Sequence, residues 1–104
     1  MLNHIETEEQ YHQFKSTPNQ LVVVDFSATW CGPCKMMEPI LEAFSQKYQN
    51  VIFLHVDVDE LDTLDDCADV TRLPTFKFYK NNKFIEQLSG ANPDLLEQHV
   101  HKNL

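Results

Sequence analysis

The chain has 104 residues, of which 42% are apolar and 23% are charged, a balance that favours one globular domain over a disordered segment. The chain has eight Lys and Arg residues and sixteen Asp and Glu residues, which give a formal charge of -8. This charge argues against a protein that binds nucleic acids or anionic membranes, since both kinds of binding need a basic surface. The chain has three cysteines, an odd number, which excludes a complete disulfide framework.

The first third of the chain predicts a short strand, a helix and a buried strand. Thr7 and Gln10 have the spacing of a capping box, so we expect a helix over residues 8–16 that ends before Pro18. The run Leu21–Phe26 is apolar without alternation. Such a run is typical of a strand that is covered on both faces.

The middle of the chain predicts a long helix, a strand and a second, shorter helix. Apolar residues recur at offsets of three and four within residues 33–49, which indicates one buried helical stripe. A strand is expected over Val51–Val58. Residues 59–69 are predicted to form an acidic helix with Asp59 as its N-cap and a solvated acidic face, which could alternatively steer a partner protein.

The last third predicts a hairpin and a closing helix. Thr75–Tyr79 alternates, Asn81–Asn82 can supply positive φ in a tight turn, and Phe84–Ser89 returns as an antiparallel strand. Asn92–Pro93 has the cap and first-turn residues of a helix. The element order predicts an α/β fold, with a central mixed sheet of four to five strands flanked by four helices, in a single domain over residues 1–104.

No secretory signal, transit peptide or lipidation motif is visible, so we expect a cytoplasmic location. The longest apolar stretch, Leu21–Val24, is far too short to cross a bilayer. In the cytosol, glutathione keeps thiols reduced, and a cysteine pair is there more often redox-active or metal-binding than structural.

Two of the cysteines stand as Cys31-Gly32-Pro33-Cys34, after the buried strand and at the start of the long helix. The first turn of a helix offers unpaired N–H groups and the positive end of the helix dipole, and both favour a thiolate. Cys31 is therefore predicted to be the nucleophile. Cys34, one turn further on, can attack the mixed disulfide that Cys31 forms with a substrate.

Two other interpretations of this pair remain open on the residues alone. A zinc site would need a second pair of ligands, but Cys67 is single, and the spacing of His99 and His101 points their side chains apart on a helix. A purely structural disulfide is disfavoured because a cytosolic domain with this much core does not need one.

The segments VVVDFSATWCGPCKMMEPILEAF, VDVDE, RLPTF and SGAN resemble the thioredoxin family, in particular its cytosolic eukaryotic members. The resemblance extends over essentially the whole chain, and WCGPC is far more specific than an isolated Cys-x-x-Cys. It implies a protein-disulfide reductase that acts by dithiol–disulfide exchange and binds no cofactor itself. An NADPH-dependent thioredoxin reductase, which carries FAD, would re-reduce it.

The resemblance also implies roles for individual residues. Cys31 matches the attacking cysteine and Cys34 the resolving one, so the two would form the redox-active disulfide. Asp25 matches a buried aspartate that accepts the proton of the inner cysteine; burial would raise its pKa. Gly32 and Pro33 tune the redox poise, because Gly-Pro typifies the reducing members and not the oxidases or isomerases of the same fold.

A substrate-binding surface around Cys31 is implied as well. Leu73-Pro74-Thr75 matches the cis-proline loop of the family. The expected surface is flat and uncharged, as in sites for protein substrates, and consists of Trp30, Gly32, Pro33, Leu73, Pro74, Thr75, Gly90 and Ala91.

Three expectations concern the remaining features. Asp57 and Asp59 stand where like-charge repulsion could raise the pKa of Asp25. The acidic neighbours of Cys67 should disfavour its thiolate. The partners are expected to be disulfide-containing proteins and a reductase, with the chain a monomer; a redox-dependent binding module, or an oxidase or isomerase, is the alternative function.

Overall fold

The computed structural model describes residues 1–104, which form five strands and three α-helices. The strands are β1 (Leu2–His4), β2 (Leu21–Ser27), β3 (Ile52–Asp57), β4 (Thr75–Lys80) and β5 (Lys83–Ser89). The helices are α1 (Glu8–Lys15), α2 (Gly32–Lys47) and α3 (Pro93–Lys102). The predicted α/β fold is confirmed, with one α-helix fewer than expected.

The five strands form one mixed sheet in the order β1-β3-β2-β4-β5. The three strands β1, β3 and β2 run parallel, whereas β4 and β5 are antiparallel to their neighbours. β2 is therefore the central strand, and every one of its residues is buried. This explains its continuous apolar run, since a strand covered on both faces has no polar side.

Two apolar clusters cover the two faces of the sheet. Leu21 and Val23 of β2 pack in the cluster that includes residues of α2 and α3. Val22 and Val24 pack in the cluster that includes Tyr11 of α1. Because side chains alternate along a strand, Asp25 lies on the same face as Leu21 and Val23, below α2.

The turn prediction and two of the three cap predictions are confirmed. Thr7 Oγ1 accepts a hydrogen bond from the backbone N–H of Gln10 at 3.1 Å and caps α1. Asn92 caps α3 in the same way. Asn81 and Asn82 have φ values of 51° and 64°, as the turn between β4 and β5 requires.

No helix is both long and apolar enough to cross a membrane.

The predicted acidic helix over residues 59–69 is wrong, because only Asp65–Cys67 form a short 3-10 helix. Asp59 is not a helix cap. Instead Asp57 Oδ1 accepts the backbone N–H groups of Asp59 and Glu60 at 2.8 and 3.3 Å, which turns the chain directly after β3.

Contacts with other elements hold this segment in its irregular conformation. Leu61 and Leu64 are buried in the cluster on the α1 face of the sheet. Asp66 accepts hydrogen bonds from Tyr11 and Lys15 of α1. Asp66 is therefore half-buried and bonded to α1. The other acidic residues of the segment are exposed as expected, although they do not lie on a helix: Asp59, Glu60, Asp62, Asp65 and Asp69.

Candidate active site

The cysteine pair lies where the central strand leads into α2. Cys31 is the N-cap of α2, and its Sγ accepts a hydrogen bond from the backbone N–H of Cys34 at 3.2 Å. Pro33 occupies the first turn, where its missing N–H costs nothing. A sulfur at this position receives an N–H group and the positive end of the helix dipole, both of which stabilise a thiolate.

Cys31 and Cys34 form a disulfide, with their Cα atoms 5.3 Å apart. Cys31 is 6% exposed and Cys34 is 1% exposed, so a substrate can approach only the first sulfur. Both pack against Ala28, with Leu73 at the edge of the cluster. The burial difference supports the order of attack that the sequence predicts.

Asp25 is fully buried on the sheet face that α2 covers, and neither of its carboxylate oxygens has a hydrogen-bond partner. Burial raises the pKa of Asp25 to about 8, and the negative charge of Glu38 adds to the effect. The acidic neighbour that acts on Asp25 is thus Glu38, and not Asp57 or Asp59 as expected. Asp57 is turned toward the backbone that follows β3, and Asp59 accepts a hydrogen bond from Trp30.

The loop before β4 brings a second part of the chain to the cysteines. The Leu73–Pro74 peptide bond is cis, and Leu73 packs against the cysteine cluster. The carbonyl of Pro74 accepts the backbone N–H of Gly90 at 2.9 Å. Gly90 has a φ of +100°, a conformation that a residue with a side chain rarely adopts. These contacts place Pro74 and Gly90 side by side.

The remaining residues of the expected substrate surface differ in how accessible they are. Trp30 is 70% exposed, and its Nε1 donates a hydrogen bond to Asp59 Oδ2 at 2.8 Å, which fixes the indole. Gly32 and Pro33 are exposed, whereas Ala91 is half-buried against the core.

Pro74 and Thr75 are the buried members of the expected surface, and the Thr75 side chain makes hydrogen bonds inside the protein. Its Oγ1 donates to the carbonyl of Arg72 at 2.6 Å and lies 3.1 Å from the hydroxyl of Ser89. Its side chain therefore holds the loop and the β4–β5 pair together.

Sequence reasoning missed a polar region beside Asp25. A cavity of about 310 Å³ is lined by Ser27, Ala28, Thr29, Lys35, Glu38, His55 and Asp57. His55 of β3 is paired in register with Asp25 of β2, and its ring lies 3.8 Å from Glu38. Burial lowers the pKa of His55 below its ordinary value, although Glu38 opposes this effect.

One feature of the sequence could have identified Glu38 as a residue of the site. Glu38 stands four residues after Cys34, and this spacing places both side chains on one face of α2. His55 had no comparable signal, because its position beside Asp25 depends on the pairing of β2 with β3.

Cys67 is a free, half-buried cysteine that packs at the edge of the cluster on the α1 face. Burial raises the pKa of its thiol to about 11; Lys77 opposes this effect, and Asp66 and Asp62 add to it. The thiolate is disfavoured as expected, although burial has a larger effect than the acidic neighbours.

Comparisons with known proteins show similarity to one family over nearly the whole chain. The thioredoxin family model matches residues 3–102. The chain is 45% identical to a thioredoxin of Equus caballus over 98 residues, 93% of each chain. It is 43% identical to a thioredoxin of Homo sapiens over 103 residues, 98% of each.

Solved structures are similar over the same length. A crystal structure of a thioredoxin from Nicotiana alata is 40% identical, with a TM-score of 0.90 over 97% of this chain and 90% of that one. A thioredoxin structure from Plasmodium falciparum is 37% identical, with a TM-score of 0.90 over 98% and 99%.

Proposed function

The chain belongs to the thioredoxin family, and from this premise we propose how its residues divide the work of dithiol–disulfide exchange. Family membership and the Cys31–Cys34 pair make the protein a thiol–disulfide oxidoreductase that reduces protein disulfides. The single observation that carries the assignment is a cysteine pair at the N-terminus of a helix, with the first sulfur the more accessible.

In the proposed cycle, the thiolate of Cys31 attacks one sulfur of a substrate disulfide. The substrate S–S bond breaks, a mixed disulfide forms with Cys31, and the first substrate thiolate leaves and takes up a proton. Cys34 then attacks the sulfur of Cys31, the second substrate thiolate leaves, and the Cys31–Cys34 disulfide forms. Two electrons pass from the chain to the substrate, and the described structure is the oxidised end of the cycle.

Asp25 is proposed to accept the proton of Cys34, directly or through a water molecule. A general base works best when its pKa lies near the working pH. With a pKa of about 8, Asp25 can both take up and return a proton near neutrality. Its two unpartnered oxygens support the role, since no other group in the protein competes for them.

The substrate is proposed to dock on the surface around Cys31. Trp30, which is exposed and held by Asp59, provides the largest apolar contact, and Gly32 and Pro33 leave the sulfur uncrowded. The backbone of Leu73, which precedes the cis bond to Pro74 and packs against the cysteine cluster, is proposed to pair with an extended substrate segment, and the exposed Gly90 leaves room for that segment. Leu73, Thr75 and Ala91 support this edge of the site.

We further propose that a thioredoxin reductase re-reduces the pair, so that NADPH and FAD act through the reductase and no cofactor binds to this chain. A cytoplasmic location and a monomeric state fit this role. The net charge of -8 favours protein partners over nucleic acid or anionic membranes.

The test is reduction of a protein disulfide with dithiothreitol as the electron source. Cys31→Ser and Cys34→Ser should both fall toward the rate of dithiothreitol alone. In a separate incubation of reduced Cys34→Ser with the substrate and without dithiothreitol, mixed disulfides through Cys31 should accumulate. Cys67→Ser is the matched control and should keep the wild-type rate. A Cys31→Ser variant as active as the wild type would overturn the assignment.

A further inference from the structure

We infer that His4, Glu38 and His55 form a binding site for a divalent transition-metal ion of the Zn²⁺ class, beside the cysteine pair and separate from it. The ligand atoms of these three side chains all lie within 4.8 Å of one another. The proposal goes beyond the reductase activity and does not depend on it.

Two features bring the three residues together: the parallel pairing of β1 with β3, and the position of α2 above these strands. His4 of β1 is paired in register with His55 of β3, and their rings lie 4.9 Å apart between centroids. The backbone N–H of Ile5 donates to the carbonyl of His55 at 2.9 Å, which holds the end of β1 against β3. Glu38 of α2 approaches from above, with its Oε1 3.8 Å from Nε2 of His55.

The donor set matches a transition metal. Two imidazoles and one carboxylate bind Zn²⁺ in sites that keep a fourth position open for water, and imidazole also suits copper, nickel and iron. Mg²⁺ and Ca²⁺ prefer sites made of oxygen ligands. The cavity lined by Glu38 and His55 leaves room for a fourth ligand.

The three ligand atoms need to move only slightly closer together to bind one metal ion. A tetrahedral site with bonds of about 2.1 Å separates its ligand atoms by about 3.4 Å. Glu38 and His55 are already close to this separation at 3.8 Å. His4 is exposed and Glu38 is 43% exposed, so both can move toward the half-buried ring of His55 without disturbing the core.

The test is Zn²⁺ titration of the oxidised Cys67→Ser protein, in which the disulfide and the substitution remove all three thiols as competing ligands. Calorimetry should show one saturable site. Among the five histidines, only the ring signals of His4 and His55 should shift together in NMR spectra. Absence of saturable binding, or shifts spread over the other three histidines, overturns the proposal.

Substitutions then locate the site. Loss of even an outer-shell partner weakens metal sites by about 10- to 100-fold, so His4→Ala and Glu38→Gln should each weaken Zn²⁺ binding by at least about tenfold. His12→Ala is the matched control, because His12 also lies 3.8 Å from a carboxylate, that of Glu8, but has no third ligand. Either ligand variant binding as tightly as the parent, or a control weakened equally, overturns the assignment.

Discussion

At the scale of single residues, Asp25 combines complete burial with two carboxylate oxygens that have no partner. An ionised carboxylate in such a place is costly, so the group stays protonated at a pH where exposed aspartates are charged. Burial, with a contribution from Glu38, raises its pKa from 3.8 to about 8. Asp25 therefore lowers the stability of the fold at neutral pH, because folding there must keep a proton on a carboxyl group that the unfolded chain would release.

Asp25→Asn should stabilise the protein, and increasingly so as the pH rises from about 4 to about 8. In this range the unfolded chain has released the proton while the folded chain still holds it, so the free energy of unfolding of the wild type falls with pH. The difference should reach roughly 3–5 kcal/mol near pH 8 and then stay constant. Denaturant unfolding of both proteins at several pH values measures it.

Asp62→Asn is the control for this experiment, because Asp62 is exposed. It should change the free energy of unfolding by less than about 0.5 kcal/mol. A pH-independent difference between Asp25→Asn and the wild type would contradict the raised pKa. The same variant should slow disulfide reduction, since an amide cannot accept the proton of Cys34.

Cys67 should be nearly inert toward alkylating reagents in the reduced native protein. With a pKa of about 11, roughly one molecule in ten thousand carries the thiolate at pH 7. Mass-mapped alkylation at pH 6 to 7 should label Cys31 first and leave Cys67 unlabelled, whereas the denatured protein should label at all three cysteines. Equal labelling of Cys31 and Cys67 in the native protein would contradict this prediction.

At the scale of structural elements, the segment between β3 and β4 shows how contacts between elements replace regular structure. Asp66 Oδ2 accepts hydrogen bonds from the Tyr11 hydroxyl at 2.5 Å and from Lys15 Nζ at 2.8 Å. Burial alone would raise the pKa of Asp66, but these hydrogen bonds together lower it. Lys77 of β4 adds bonds to the Asp66 carbonyl and to Asp69.

Asp66→Asn should destabilise this segment and the whole protein. The substitution leaves Lys15 half-buried without its counter-charge and weakens the acceptor of Tyr11, at a cost of about 1–3 kcal/mol. Native-state hydrogen exchange should show the loss first at the amides of residues 61–70.

Asp65→Asn is the control for Asp66→Asn, because Asp65 is exposed and makes no side-chain hydrogen bond. It should leave both the exchange rates and the free energy of unfolding nearly unchanged. If the two variants behave alike, Asp66 does not anchor the segment.

At the scale of the whole molecule, one sheet separates two apolar clusters, and the active site lies at the end of the strand that both clusters bury. α3 closes the molecule by burying Leu96 and Val100 in the cluster below α2. The stability of the fold that carries the cysteine pair therefore depends on packing that extends far from the sulfur atoms.

Leu96→Ala should lower the free energy of unfolding by about 2–5 kcal/mol, because it leaves a cavity in a fully buried site. The disulfide-reduction rate well below the unfolding transition should change little, since Leu96 lies outside the cysteine cluster. Thermal unfolding and the dithiothreitol-coupled assay measure the two effects.

Leu95→Ala provides the comparison, since Leu95 precedes Leu96 in α3 and is 37% exposed. It should cost well under 1 kcal/mol. Equal destabilisation by the two substitutions would show that burial in this cluster is not what holds α3.

The sequence by itself determined the features that depend on neighbours along the chain. The caps at Thr7 and Asn92, the Asn81–Asn82 turn and the continuous apolar run of β2 all follow from local rules, and the structure confirms them. The Cys-Gly-Pro-Cys order at the start of a helix is local too, because the four residues occupy consecutive positions. These local features are why the fold class and the order of attack of the two cysteines could be predicted, whereas the assignment as a protein-disulfide reductase came from the resemblance to the thioredoxin family.

The tertiary structure alone decided the features that join distant parts of the chain. It placed Glu38 rather than Asp57 or Asp59 beside Asp25, and it brought His4 and His55 together through strand pairing. It also replaced the expected acidic helix by an irregular segment, in which the side chain of Asp66 accepts a hydrogen bond from Tyr11, fifty-five positions away. Register, burial and long-range hydrogen bonds arise only when the elements pack, and a pattern along the chain does not contain them.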